Sequence, residues 1–212
     1  VPATATPADQ SQLKPQPAHW PLALMLTLTQ IGLGTSAASL FGSTTHAIVG
    51  FIIFNAGMIA ATLHLGKPLK AWRFFLGLKT SWLSREILAF SLIAPIPLIL
   101  AGFPFLPDFP FKDLLLTATK WSAIPAFAGA IFTSAMIYHD TKRANWLLPK
   151  SLPAFLLTFA AATTLFINPI LFTIIVVALI GFEVNLLIPT RQPDWSPAQH
   201  SAKLRLGPLQ RV

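Results

Sequence analysis

A histidine and a glutamate flank one short connection in this chain. His64 ends a long apolar run and Glu86 begins the next. Between them lie His64-Leu65-Gly66-Lys67-Pro68-Leu69-Lys70-Ala71-Trp72-Arg73 and then Ser81-Trp82-Leu83-Ser84-Arg85-Glu86-Ile87. Histidine titrates near neutral pH and a carboxyl group can be tuned toward that range, so such a pair can exchange protons with a substrate dissolved in lipid. The competing reading is that both residues only satisfy backbone groups at an interface. Gly66 can end a helix in the left-handed conformation and Pro68 prevents its restart, so the helix should stop at His64. Ser84 is the expected cap of the next helix, which puts Glu86 in the first turn, where the helix dipole favours a carboxylate.

Other polar residues stand out against the same apolar background. Glu183 lies inside an apolar stretch two residues before Asn185, where a buried carboxylate marks either a proton path or a neutral group that packs the bundle. His64 and His139 should fall on one side, so a bis-histidine haem b is an alternative to weigh. With no cysteine in the sequence, a thiolate iron–sulfur cluster, a cysteine zinc site and a disulfide are excluded within it.

The elements that hold these residues follow from composition. Of 212 residues, 54% are apolar and only 10% charged, with a mean hydropathy of +0.64. Soluble domains carry roughly 25% charged residues, so this is the composition of a membrane protein. The surplus of 15 Lys and Arg over 7 Asp and Glu gives +8, yet the cations lie between apolar runs and form no patch of the kind nucleic acid needs. A bilayer core of roughly 30 Å takes about 20 apolar residues per helix, and stretches near 20–42, 45–66, 86–106, 114–138, 152–168 and 170–189 supply them. The expected fold is therefore an all-α integral membrane bundle of about six transmembrane helices.

Asn168-Pro169 divides the last two stretches and predicts a tight hairpin between two short helices. Pro95 and Pro97 should kink the third helix and Pro125 the fourth. The small-residue strings Gly32, Gly34, Ala37, Ala38 and Ala126, Ala128, Gly129, Ala130 permit close helix approach. Residues 1–18 read as an extended Pro-rich tail or linker, 19–190 as the transmembrane domain and 191–212 as a basic cytoplasmic tail. The sequence opens on Val with no basic n-region before its first apolar run, so the expectation there is a processed or incomplete N-terminus, with 1–18 a linker from an upstream domain. In a six-helix topology every Lys and Arg except Lys112 and Lys120 falls on one side, which places both termini and the loops 67–85 and 139–151 in the cytoplasm. The basic loop 67–85 can also serve anionic lipid.

HLGKPLKAWR, SWLSREI and the series Tyr138, Thr141, Arg143, Trp146 after the fourth helix resemble the membrane anchor subunits of dimethyl sulfoxide reductase-type molybdoenzymes. His19-Trp20-Pro21-Leu22 and Leu28-Thr29-Gln30 resemble the start of members fused behind a ferredoxin-like subunit, and the likeness covers roughly 19–209. The resemblance implies a non-catalytic subunit of an oxidoreductase that completes the quinone half-reaction in anaerobic or sulfur respiration. Electrons would pass between a docked ferredoxin-like iron–sulfur subunit and menaquinone or ubiquinone, with a molybdopterin catalytic subunit beyond. It implies iron–sulfur clusters and molybdopterin in the partners, and neither haem nor cluster in this chain. His64 and Glu86 match the family's quinol-linked histidine and glutamate, and Arg85, Gln30 and Tyr138 join them as candidates for quinone binding or proton transfer. Lys67, Lys70, Arg73, Trp82 and Arg143 are the candidates for partner docking. Relatives typically carry eight helices, so six here imply a short variant or a missing C-terminus after Leu206-Gly207-Pro208-Leu209. The charge bias resembles the cytoplasmic branch of the family, such as sulfite-oxidising complexes, rather than an exported reductase. The alternatives are a haem b-binding quinone-reactive subunit and a small transporter, the latter expected to show repeats and a midmembrane site.

Overall fold

The computed structural model describes residues 20–64, 72–188 and 196–206, with the side chains of His64 and Ser201 left out. The Pro-rich segment 1–18, Lys67, Lys70 and residues 207–212 thus lie outside the described residues. The described part is helical, without strands: α1 Trp20–Ala38, α2 Thr44–His64, α3 Phe74–Gly77, α4 Trp82–Ile93, α5 Pro95–Gly102, α6 Lys112–Asp140, α7 Leu148–Thr164, α8 Pro169–Asn185 and α9 Pro197–Leu206. Helices occupy all six expected stretches. Four segments, Trp20–Phe41, Thr44–Leu63, Trp82–Phe105 and Lys112–Asp140, are long and apolar enough to cross a membrane, while α7 and α8 are 17 residues each.

The proline positions explain most boundaries. Pro95 has no N–H to return to Ser91, so the third stretch runs as α4, a break at Ala94, and α5. Pro125 does not interrupt α6, which runs through it for 29 residues. α7 begins at Leu148, earlier than the expected 152, because Pro149 falls in the first turn, where a missing donor costs nothing. Asn168 does cap the last hairpin. Its side-chain oxygen accepts from the N–H groups of Ile170 and Leu171, each at 3.0 Å, and Pro169 opens α8.

Close approach of α1 to α2 depends on glycine. A Cβ on Gly32 would lie 2.3 Å from the Phe54 amide nitrogen, and one on Gly34 would lie 2.5 Å from the Phe159 carbonyl oxygen of α7. Between apolar helices in lipid, such contact supplies the packing energy that a hydrophobic drive cannot. The second small-residue string behaves differently. Ala130 is buried and Ala126 packs on the core, but Gly129 has nothing within 4 Å of its Cβ position and faces outward.

The core joins Leu33 and Ala37 of α1, Phe54 of α2, Phe90 and Ile93 of α4, and Ala123, Phe127, Ala130 and Ile131 of α6. α7 closes the bundle against α1 and α6, and α8 lies outside α7 with no buried residue. At one end of the bundle His46 stacks on Phe166 at 4.7 Å, linking the α1–α2 turn to the α7–α8 hairpin. Lys112, near this same end, bonds Asp108 at 2.9 Å, and that bond holds the exposed Asp108 carboxyl below its ordinary range. The opposite end collects the start of α1, the end of α2, α3, the α6–α7 connection and the end of α8. Among the described residues every Lys and Arg except Lys112 and Lys120 lies there.

Candidate functional site

The site is built on the start of α4. The helix begins at Trp82, and its cap is Ser81, with extended backbone (φ −119°, ψ 123°) and an Oγ that accepts from the Ser84 N–H at 3.4 Å. The expected cap at Ser84 is therefore corrected, and Glu86 sits in the second turn rather than the first. The cause is packing. Gly77 of α3 brings its backbone so close to Ser84 that a Cβ there would meet Ser84 Oγ at 2.5 Å, which makes Ser84 an interior residue. Arg85 completes the seam between α3 and α4. Its Nε donates to the Leu78 carbonyl at 2.9 Å, its Nη2 to the Lys79 carbonyl at 2.8 Å, and the guanidinium lies 4.3 Å over the Trp82 ring. Trp82 in turn meets Phe132 of α6 edge-on at 6.0 Å.

One turn deeper, the Glu86 side chain enters the bundle, with 4% of the residue exposed. It meets no cation among the described residues. Its partner is Ser134 of α6, whose hydroxyl donates to Oε1. Oε2 accepts no hydrogen bond among the described residues. Tyr138 stands one turn along the same face of α6, within electrostatic reach of the Glu86 carboxyl, and packs edge-on against Trp146 at 5.2 Å and Phe155 at 5.8 Å. Tyr138 is thus half-buried between α6, α7 and their connection instead of lying only in an aromatic belt at the boundary.

The connection itself is ordered by side chains. Arg143 is exposed and its guanidinium lies 4.5 Å over Trp146. His139 Nδ1 accepts the Leu148 N–H at 3.2 Å, a bond that helps start α7. Buried Asn145 accepts from Lys150 at 3.2 Å, while its Nδ2 has no partner among the described residues.

Register fixes the depths of the remaining candidates. The Cβ position of Gly57 abuts Thr29, so Gln30 lies level with the Gly57 turn of α2. Phe54 stacks on Phe90 at 6.3 Å, and one turn toward the basic end from that pair lie Met58 on α2 and Glu86 on α4. Gln30 and Glu86 therefore share a depth. Gln30 is buried, on the α7 side of α1 with Gly34, and no hydrogen bond joins it to Glu86. His64, the last described residue of α2, lies about 9 Å along the axis beyond Met58 at 1.5 Å per residue, while Gly66 and Pro68, on which the expected helix stop rests, lie outside the described residues. His64 and Glu86 occupy one end of the bundle at different depths.

Of the docking candidates, Arg73 and Arg143 are exposed at that end and Trp82 is half-buried. Beside Arg73, the apolar side chains of Trp72, Phe75 and Leu76 are also exposed. Glu183 is corrected from a buried acid to a half-exposed one, paired with Arg205 of α9 at 2.5 Å. Its partner comes from the predicted tail, which holds a helix that its polar composition hides. Ser134 and Asn145 are the buried polar residues of the site that no spacing marked.

The model of one family, described as the DMSO reductase anchor subunit (DmsC), matches residues 25–186. The chain is also similar to a sulfite dehydrogenase subunit of Allochromatium vinosum, 38% identical over 47 residues, which is 22% of this chain and 14% of that protein. The likeness thus spans about a seventh of the relative's length. No solved structure matches the chain.

Proposed function

The chain belongs to the DMSO reductase anchor subunit family and is a multi-pass membrane protein; from that premise we propose that it binds a quinone beside Glu86 and couples it to a docked iron–sulfur subunit. The observation that carries this reading is a carboxyl group buried at the basic end of the bundle with a hydroxyl, not a cation, as its partner. A carboxyl so enclosed is costly to keep for packing alone, and it suits proton exchange with a substrate that arrives through lipid.

Quinone reduction takes up two electrons and two protons, and quinol oxidation releases them. The electrons travel to or from a cluster in the partner, which in turn serves a molybdopterin subunit. The protons are the task of this chain. Glu86, with Oε2 open, exchanges one at the quinone oxygen, and His64, nearer the surface at the same end, links the site to water. Gln30 at the depth of Glu86 and Tyr138 beside it have donors that can orient the quinone oxygens. Arg85 serves the site by holding the 78–79 backbone, a role its two carbonyl bonds support. The exposed Trp72, Arg73, Phe75 and Leu76, with Arg143 exposed at the same end, offer the partner an apolar and basic landing surface flanked by Trp82, and Lys67 and Lys70, which lie outside the described residues, are docking candidates by their nearness in sequence. In this reading the chain carries no haem of its own, and a reduced-minus-oxidised haem spectrum from the purified protein would contradict it.

Glu86→Gln keeps the shape and removes the acid. It is expected to lower quinone-coupled turnover by about 100-fold, the low end of general acid–base contributions, and His64→Leu to lower it in the same sense. Turnover of the partner with a soluble dye should persist, because the metal chain does not run through this protein. Unchanged quinone kinetics in both variants would sink the proposal.

A further inference from the structure

Ser134 sits inside the last two turns of α6, where a hydroxyl ordinarily turns back to its own helix. This chain shows the habit repeatedly. Thr29 donates to the Met25 carbonyl, Ser91 to Ile87, Thr133 to Ala130, Thr158 to Ala154 and Thr163 to Phe159, all within one turn. Ser134 departs from it. A serine hydroxyl has one proton to donate, and here it goes across the α4–α6 interface to Glu86 Oε1. Both residues are enclosed, at 3% and 4% exposure, so water does not compete for the bond. Ala130, Ile131 and Ala135 on the same helix are fully buried around it, and they offer the carboxyl no other polar group.

The consequence is directional. A carboxyl can rotate about its terminal bond and exchange its two oxygens, and a glutamate without a fixed partner presents either. A hydroxyl locked on Oε1 removes that freedom and leaves Oε2 as the oxygen offered to the bundle interior. We propose that Ser134 is the positioning residue of the site, holding Glu86 so that Oε2 alone faces the ligand. This deepens the quinone reading and rests on it for its functional meaning, while the hold itself is a property of the chain. Tyr138, a turn away on the same face, lies within electrostatic reach of the same carboxyl.

The composition makes the hold measurable. Glu86 and Glu183 are the only glutamates in the sequence, so a full chain carrying Glu183→Gln and grown on carboxyl-13C glutamate has a single labelled carboxyl. In lipid bilayers, its infrared band should move to higher wavenumber in Ser134→Ala, which loses the donor, and return in Ser134→Thr, which restores it. In the assembled complex, Ser134→Ala should lower quinone kcat by about tenfold with little change in KM, and Ser134→Thr should recover most of it. A labelled band that stays in place in Ser134→Ala overturns the proposal, whatever the turnover does. So does equal loss of turnover in the Ala and Thr variants, the mark of a packing defect. If the band moves and returns as expected while Glu86→Gln leaves quinone turnover intact, the positioning stands and the quinone reading falls.

Discussion

A guanidinium that spends its donors on two backbone carbonyls is a splint, and Arg85 does so at the junction that carries Glu86. Nε and Nη2 reach Leu78 and Lys79, while the flat face covers Trp82. Lysine can imitate the charge but neither the fork nor the stacking. Arg85→Lys is therefore expected to loosen residues 72–80, at a cost of about 1–3 kcal/mol for the charged bonds lost. A spin label at Thr80 should report greater mobility; an unchanged spectrum would mean that the carbonyl bonds do not hold the segment. At this scale residue type told much and position told less. Glu86 and Tyr138 are conspicuous because an acid and a phenol are rare in this apolar sequence, and the structure brings them within reach of each other. Ser134 gave no such signal, because a serine inside an apolar helix normally satisfies itself on its own backbone. Only the fold reveals that it faces α4.

Helix ends were legible where one side chain decides them and obscure where tertiary contact does. Asn168-Pro169 is a local device, a cap followed by a residue that needs no donor, and it forms as the sequence predicts. Ser81 and Ser84 both precede the same apolar run, and the choice between them falls to Gly77, whose approach turns Ser84 inward. α9 escaped notice because nothing in Pro197–Leu206 repeats with a helical apolar period, and it is tied to α8 through Arg205 and Glu183. The cap at Asn168 can be tested directly. Asn168→Ala strips an acceptor from two N–H groups and should destabilise the α7–α8 hairpin by about 1 kcal/mol, whereas Asn168→Asp, which keeps the acceptor, should cost little. Unfolding of the three proteins in mixed micelles gives the comparison, and equal stability of the Ala variant would show that the turn is held by packing alone. The α1–α2 contact should remain intact in all three, since Gly32 and Phe54 lie on the other side of α1 from α7.

For the molecule as a whole, the outstanding physical question is which membrane face holds the basic end. Glu86 and Tyr138 lie toward that end and His64 at its edge, so on the proposed quinone reading a cluster exchanging electrons with the site would have to dock on the same face. Among the described residues every Lys and Arg except Lys112 and Lys120 belongs to it in the helix order, and short loops rich in these residues stay in the cytoplasm. The two exceptions lie in the first turns of α6, where Lys112 is engaged with Asp108 and the Leu106 carbonyl. The absence of native cysteine allows a clean assay. Single cysteines replacing Lys79 or Lys142, both exposed at the basic end, should resist a membrane-impermeant thiol reagent in intact cells, while one replacing Phe109 should react. After permeabilisation all three should label, which separates protection by the membrane from burial in a complex. Lys142 needs one control. Its backbone is left-handed, with φ of 56°, so a cysteine there must accept the same strain, and a glycine at that position tests whether folding is affected. Labelling of positions 79 and 142 from outside, with 109 protected, would reverse the molecule and make its partner an exported enzyme. Labelling of 79 and 109 from the same face would contradict the single crossing by α4 and α5 that the charge argument requires.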